Sequence, residues 1–266
     1  MISATALILT YNEEANIART LRAVNWIREV VIVDSGSNDR TLEVAKVSHP
    51  NVRIVPRNFD THATQWNFGL SQVRTPWVLT LDADYEVSAD LAVEIQELPA
   101  DEQVSGYEAR FQYRISGRPL RSSVYPPRVV LFRVDCGSYF DDGHTQRLRI
   151  EGPAKSLSGL IYHDDRKPFG HWLQSQKRYA RLEAQHLLEI QKEKGEGREE
   201  KLALQDKLRL KIFFAAPVMF FYLLFGRGLI LDGWPGWAYV GQRTIAEFLL
   251  SVQLLKQRGP QITDNR

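Results

Sequence analysis

An α/β fold with a mostly parallel central sheet, followed by a helical C-terminal region, is the class this sequence predicts. Three observations carry it. Short apolar runs alternate with amphipathic segments through the first hundred residues, three of those runs meet polar clusters, and the last hundred residues turn to long helical patterns. Residues 4–9 read as the first strand, followed by Thr10, Tyr11, Asn12, Glu13 and Glu14. Asn12 is a good N-cap for a following helix, the two glutamates suit the positive helix end, and Ile17, Leu21 and Val24 mark its buried face. Residues 30–33 form a second strand that ends at Asp34, with a loop over 35–39 and another helix from about Thr41. A third strand covers 52–55. A helix near Thr64 turns Trp66, Leu70 and Val73 inward.

The next strand, 77–81, is apolar until it stops at Asp82-Ala83-Asp84. Strand alternation points Asp82 and Asp84 the same way, so both can face a single hard cation that keeps open positions for the oxygens of a diphosphate. Alone, that pattern is common in acidic loops. In a parallel sheet, however, residues 11–13, Asp34 and the aspartate pair share the C-terminal edge, where open α/β folds bind ligands. Read singly, Asn12 and Asp34 are ordinary cap and turn residues; three polar clusters on one rim favour a ligand site.

In this order, Leu9-Thr10-Tyr11-Asn12-Glu13-Glu14, residues 33–41 (VDSGSNDRT) and Leu81-Asp82-Ala83-Asp84 resemble family 2 glycosyltransferases of the GT-A fold. The resemblance covers about residues 1–165 and looks closest to the bacterial lipopolysaccharide-core glucosyltransferase-like branch, which residues 231–236 (LDGWPG) also suit. It implies that the loop of Thr10, Tyr11, Asn12 and Glu13, together with Asp34, holds the base and ribose of a nucleoside-diphosphate sugar. It also implies that Asp82 lies near ribose and metal, that Asp84 ligates Mg²⁺ or Mn²⁺, and that transfer inverts the anomeric carbon. His163, at the end of a late strand, matches the histidine that often completes metal coordination in GT-A enzymes. A histidine capping the strand or touching the diphosphate is the alternative.

Gln65 and Asn67 precede the metal strand and are candidates for nucleotide or sugar, or equally a polar helix face; His62 reads as a solvated loop histidine. Strands are expected over 107–115 and 129–132, with a proline-containing loop over 119–128 near the acceptor and Arg128 able to meet a phosphate. Displacement at a sugar carbon needs a base for the acceptor hydroxyl. The resembling family places its base near residues 139–145. Asp142 is the first choice, with Asp141 and His144 behind it, and Asp142-Gly143 is also a turn signal. Relatives that carry His-Glu differ here, since Thr145 follows His144.

The bulk properties agree with such an enzyme. A chain of 266 residues, 44% apolar, can build a full core, and a net charge of +2 gives no argument for nucleic acid. The single cysteine, Cys136, excludes an intrachain disulfide and suits a reducing compartment, and no basic leader precedes the first strand. The expected division is a catalytic domain over 1–165 and a membrane-associated helical region over 166–266. A helix is expected over 172–194, a charged turn over 192–201, and a second late helix over 242–256. Residues 212–225 are apolar without a charge but short of the roughly 20 a spanning helix needs. Lys207, Arg209 and Lys211 precede them, as suits anionic headgroups, and Trp234 and Trp237 follow. A buried docked helix is the alternative. The expected partners are therefore a nucleoside-diphosphate sugar, a glycan or lipid-linked acceptor, and a membrane surface approached from the cytoplasm at the inner face of the plasma membrane. Two rival functions are a sugar-1-phosphate nucleotidyltransferase, which should show a glycine-rich phosphate loop, and a non-catalytic nucleotide-sugar-binding protein.

Overall fold

Three of the first four parallel strands are apolar runs because both of their faces are covered, as parallel sheets require. The edge strand over 52–56 carries Arg53 and is only partly buried. The structure is a computed structural model that describes residues 2–99, 103–142, 145–195 and 204–258. Strands β1 (Ala4–Thr10), β2 (Glu29–Asp34), β3 (Val52–Pro56) and β4 (Trp77–Asp82) alternate with helices α1 (Ile17–Ala23), α2 (Thr41–Ser48) and α3 (His62–Ser71). A turn leads from β4 to β5 (Tyr85–Val87), then α4 (Ala89–Glu97), β6 (Gly106–Ile115), the two-residue β7 (Arg118–Pro119) and β8 (Arg128–Arg133). A hairpin of β9 (Gly137–Asp142) and β10 (Thr145–Ile150) precedes β11 (Ala154–His163). The main sheet runs β3-β2-β1-β4-β8-β6-β11-β5, with β7 beside β6. β1 to β4 are mutually parallel, β8 lies antiparallel between β4 and β6, and β6 and β11 are parallel. This is the α/β class with a parallel core of strands that the sequence predicts.

One sheet face packs Ala6, Ile8, Ile32, Leu79 and Leu81 against Ile17, Leu21, Leu91 and Ile95. The opposite face packs Leu7, Val31, Val33 and Val78 against Trp66 and Leu70 of α3. Gly69 is required at that contact, because a Cβ there would lie 2.8 Å from Leu7 Cδ1. The first helix corrects the sequence reading. It starts at Ile17, not after Asn12, and Asn12 sits at φ +54°, outside any helix cap.

Two compact units divide the chain: 1–119 with 123–167, and 168–266 with 120–122. The second holds α5 (Phe169–Gly195), α6 (Leu204–Leu210), α7 (Ala215–Phe221) and α8 (Trp234–Arg258), and α5 and α8 pack through Ala184, Leu187, Leu250 and Leu254 with Ile212. Three expectations change here. The apolar run 212–225 is not one helix, since Ile212 (φ +33°) and Phe213 (φ +66°) break the chain before α7. The last helix begins at Trp234 rather than at residue 242. Arg209 is not available to headgroups, because it pairs with Glu247 at 2.7 Å, Glu183 at 3.3 Å and Asp206 at 3.5 Å. A buried Glu247 needs that partner. Lys207 and Lys211 are exposed. No helix among the described residues is long and apolar enough to cross a membrane. Phe213, Phe214, Phe221, Phe225, Trp234 and Trp237 are nonetheless exposed. The expected charged turn lies partly outside the described residues, and α5 continues into it as far as Gly195.

Candidate active site

Parallel pairing brings the ends of β1 and β2 together, with Thr10 opposite Asp34, so the loops that follow them lie side by side. Asp34 is buried, and its carboxylate holds those loops. Oδ1 accepts from Thr10 Oγ1 (2.9 Å) and Ser37 Oγ (2.6 Å), while Oδ2 accepts from the N–H groups of Gly36 (3.0 Å) and Ser37 (2.9 Å). Gly36 takes φ +85°, a conformation that favours glycine. Asn12 joins the two loops, donating its N–H to Ser37 Oγ (2.9 Å) and accepting from Asn38 N–H at 2.9 Å. Glu13 N–H donates to Thr41 Oγ1 at 2.6 Å. These bonds explain why Asn12 leaves the helix-cap position. Tyr11 stands outward from this frame, 54% exposed.

The aspartate pair lies on the neighbouring strand. Asp82 ends β4, Ala83 is buried on the opposite side, and Asp84 occupies the turn before β5. Antiparallel pairing of β5 with β11 sets His163 opposite Tyr85, and Asp164 N–H donates to Asp84 O at 3.2 Å. His163 Nε2 thereby comes 3.2 Å from Asp84 Oδ2. Burial works to raise the Asp84 pKa, yet the charge and hydrogen bond of His163, with Lys167 beyond, hold it below the usual carboxylate range. His163 is shifted upward: burial opposes its charge, and Asp84 outweighs that. Asp82 is also shifted up, by burial first and by the Asp84 charge second.

A hard divalent ion binds ligands at about 2.1 Å in octahedral geometry, so neighbouring ligand atoms stand roughly 3 Å apart. The Asp84–His163 spacing fits two adjacent positions of such a site. His163 Nδ1 is buried without a hydrogen-bond partner. Among the described residues, no three His, Cys, Asp or Glu side chains converge closely enough to hold an ion by themselves. Asp82 instead bonds to the Tyr85 hydroxyl. Aromatic rings wall the histidine, with Tyr113 at 4.4 Å and Tyr85 and Tyr125 each at 5.2 Å between centroids. Arg128 lies over the Tyr125 ring at 4.7 Å.

Helix α3 supplies frame, not free ligands. Gln65 is fully buried; it donates to Ser35 Oγ (3.0 Å) and Arg57 O (3.3 Å) and accepts from the Arg57 guanidinium. Asn67 pairs both amide atoms with the backbone of Tyr139, at 2.8 and 2.9 Å. Both side chains are thus engaged by the fold in this structure. His62 is the first residue of α3, its ring 5.0 Å from Phe59, and not a loop residue. Of the base candidates, Asp141 accepts from Ala63 N–H (3.2 Å) at the start of α3. Asp142 closes β9 opposite Thr145. The Asp142 side chain and all of His144 lie outside the described residues.

Sequence reasoning missed the strap that follows β11. Asn16 is fully buried, donating to Glu13 Oε2 and Asp165 Oδ1 (2.9 Å each) and accepting from Arg19 (2.7 Å) and Arg166 N–H (2.9 Å). Arg19 also reaches Glu86 at 2.6 Å and Asp164 at 3.1 Å. Lys167 Nζ meets Glu13 Oε1 at 2.5 Å. The available signal was the charged run Asp164-Asp165-Arg166-Lys167 directly after a strand on the ligand edge. The groove between α4 and β11, about 650 Å³ and lined by Asp90, Glu94, Glu97 and Arg110 among others, shares no residue with this cluster.

The model of the family described as glycosyl transferase family 2 matches residues 5–148, more than half of the chain. An uncharacterized glycosyltransferase of Rickettsia typhi is 37% identical over 106 residues, 40% of this chain and 36% of that protein. The match thus spans about a third of the length of the first curated relatives. The lipopolysaccharide core biosynthesis glycosyltransferase LpsC of Rhizobium meliloti is 25% identical over 264 residues, 96% of this chain and 93% of LpsC. Among solved structures, S. aureus TarS 1-349 in complex with UDP-GlcNAc aligns at a TM-score of 0.46 and 15% identity, over 96% of this chain and 92% of that one. Glucosyl-3-phosphoglycerate synthase from Mycobacterium tuberculosis, with Mn²⁺, UDP and glucosyl-3-phosphoglycerate, aligns at 0.46 and 15% over 69% of this chain and 78% of that one. Likenesses this distant carry no argument about the site.

Proposed function

We propose that this chain, which belongs to glycosyl transferase family 2, moves a sugar from a nucleoside-diphosphate sugar to a glycan or lipid-linked acceptor, inverting the anomeric carbon. The observation that carries the reading is the pairing of Asp84 with His163 at 3.2 Å, on the same sheet edge as the interlocked loops after β1 and β2. The exposed Tyr11 ring offers a stacking face for the base, and the backbone of the loop that Asp34 organises faces the nucleoside. Asp84 and His163 are the protein ligands we assign to Mg²⁺ or Mn²⁺, with Asp82 close by and donor oxygens filling the remaining positions. A divalent ion bound there supplies charge against the departing diphosphate.

The chain's own groups do the rest. Asp84, its pKa held low beside His163, and the His163 imidazole in its neutral form would be the protein groups that hold the ion. Asp142 takes the acceptor's proton in this reading, because Asp141 is held at the start of α3. The exposed aromatic residues of α7 and α8, with the exposed Lys207 and Lys211 preceding them in the chain, support a peripheral position on the cytoplasmic face of a membrane carrying a lipid-linked acceptor.

Thermal stabilisation against a panel of nucleotide sugars, with and without Mn²⁺, tests the reading, since a bound ligand raises stability by mass action. One sugar nucleotide should raise the melting temperature only with metal, and transfer or slow hydrolysis of that donor should follow. Binding without any turnover would leave a nucleotide-sugar-binding protein instead. Formation of a nucleotide sugar from sugar 1-phosphate and nucleoside triphosphate would establish the nucleotidyltransferase.

A further inference from the structure

We propose that Lys167 is a binding cation for the donor's diphosphate, held by Glu13 until that diphosphate enters the site. The inference rests on the nucleotide-sugar reading above and adds a residue to it. Lys167 lies four positions beyond His163, in the strap that Asn16 ties to the loop after β1. Its ammonium meets Glu13 Oε1 at 2.5 Å, and its charge is felt by Asp84 and Asp165 as well. It therefore lies against the loop assigned to the nucleoside and within the field of the carboxylate assigned to the ion. The diphosphate of a sugar nucleotide joins those two positions, so its path passes this ammonium.

Two neighbouring arginines are occupied. Arg19 is bound to Glu86 and Asp164, and Arg166 donates twice to Asp164 at 2.7 and 2.9 Å. Lys167 has three donors, of which its side-chain partner Glu13 takes one, and a compact ammonium suits phosphate as a point charge. Glu13 is a weak competitor. Burial pushes its carboxyl up to about 7 even with the lysine beside it, so a more highly charged diphosphate displaces it. Lys167 and Glu13 are both mostly buried, at 22% and 14% side-chain exposure, and this geometry keeps the cation near its target before the donor arrives.

Calorimetry with Mn²⁺ tests the role, using UDP against UMP and GDP against GMP. Wild type should bind one of the diphosphates more tightly than its monophosphate. In Lys167→Met that diphosphate should bind about tenfold or more weakly, while the monophosphate changes less than about twofold; Lys167→Arg should recover most of the loss. Removing the ammonium alone strands a buried carboxylate, so Glu13→Gln/Lys167→Met is compared with Glu13→Gln as a pair in which neither protein leaves an unpaired buried carboxylate. The same selective loss is expected there. Equal loss of diphosphate and monophosphate would assign Lys167 to the fold, and an unchanged diphosphate affinity would remove it from the site. Wild type that favours neither diphosphate over its monophosphate would overturn the nucleotide-sugar reading and this inference together.

Discussion

Replacing Asp84 by Asn should abolish metal-dependent transfer and leave the fold standing. The carboxylate is one of two side chains with octahedral-edge spacing, 3.2 Å from His163 Nε2. The fold uses mainly the backbone of residue 84, whose carbonyl accepts from Asp164 N–H, and Asn keeps that bond. With only two protein ligands assigned, the amide removes half of the protein's hold on the ion and the only ionised ligand. The loss of turnover should be at least ~100-fold, or about 2.7 kcal/mol of transition-state stabilisation. Stability should change in a way that separates this from misfolding. The lowered Asp84 pKa contributes stability that is present above its unfolded value and lost as pH falls through the folded one. The raised His163 pKa contributes stability that is full below the ordinary histidine value and lost as pH rises through the folded value. Without metal, wild-type stability should therefore fall on the alkaline side of pH 6.5, and Asp84→Asn should flatten that fall because its main cause is gone. Donor turnover across Mg²⁺ and Mn²⁺ titrations, with thermal melts from pH 5 to 8, makes the measurement. Turnover close to wild type at saturating metal would refute the assignment.

Asp34→Ala removes the acceptor of four hydrogen bonds. It should cost about 2–4 kcal/mol of stability and weaken nucleotide binding at least about tenfold, both readable by denaturant melts and calorimetry; unchanged affinity would exclude the loop from the nucleoside site. Asp142→Asn should lower turnover by ~100-fold with donor affinity little changed. Asp141→Asn, which keeps an oxygen acceptor for Ala63 N–H, should instead leave turnover close to wild type; the reverse pattern would make Asp141 the base. Phe221→Ser with Phe225→Ser, both exposed, should sharply reduce co-sedimentation with anionic vesicles at low salt. A wild-type protein that ignores such vesicles would return that face to protein contacts.

The sheet and its rim were legible because their signals are local. Continuous apolar runs give parallel strands, and each run that stops at an acid marks the edge where ligands bind, so β1, β2 and β4 and the alternation of Asp82, Ala83 and Asp84 follow from sequence alone. The Asp84–His163 approach was legible only through family resemblance. Its physical cause is the short antiparallel pairing of β5 with β11, nearly eighty residues apart in the chain, which no window of sequence contains.

The misread residues share one cause, which is that a polar side chain beside a site is as easily consumed by the loop that shapes the site. Asn12 has the composition of a helix cap, yet Ser37 and Asn38 claim it across two loops, and the helix starts at Ile17 instead. Gln65 and Asn67 read equally as ligands or as a polar helix face, and here backbone groups and the Arg57 guanidinium engage both. Arg209 belongs to a basic stretch in sequence and to a buried carboxylate in space. The converse case is Lys167, which sequence reasoning passed over. Its meaning depends on Asn16, a fully buried amide that ties the run to the loop after β1. The Lys167 ammonium meets Glu13 in that loop. The charged residues of that run are thereby divided into those that hold the strap, Asp164, Asp165 and Arg166, and one that is free to exchange partners.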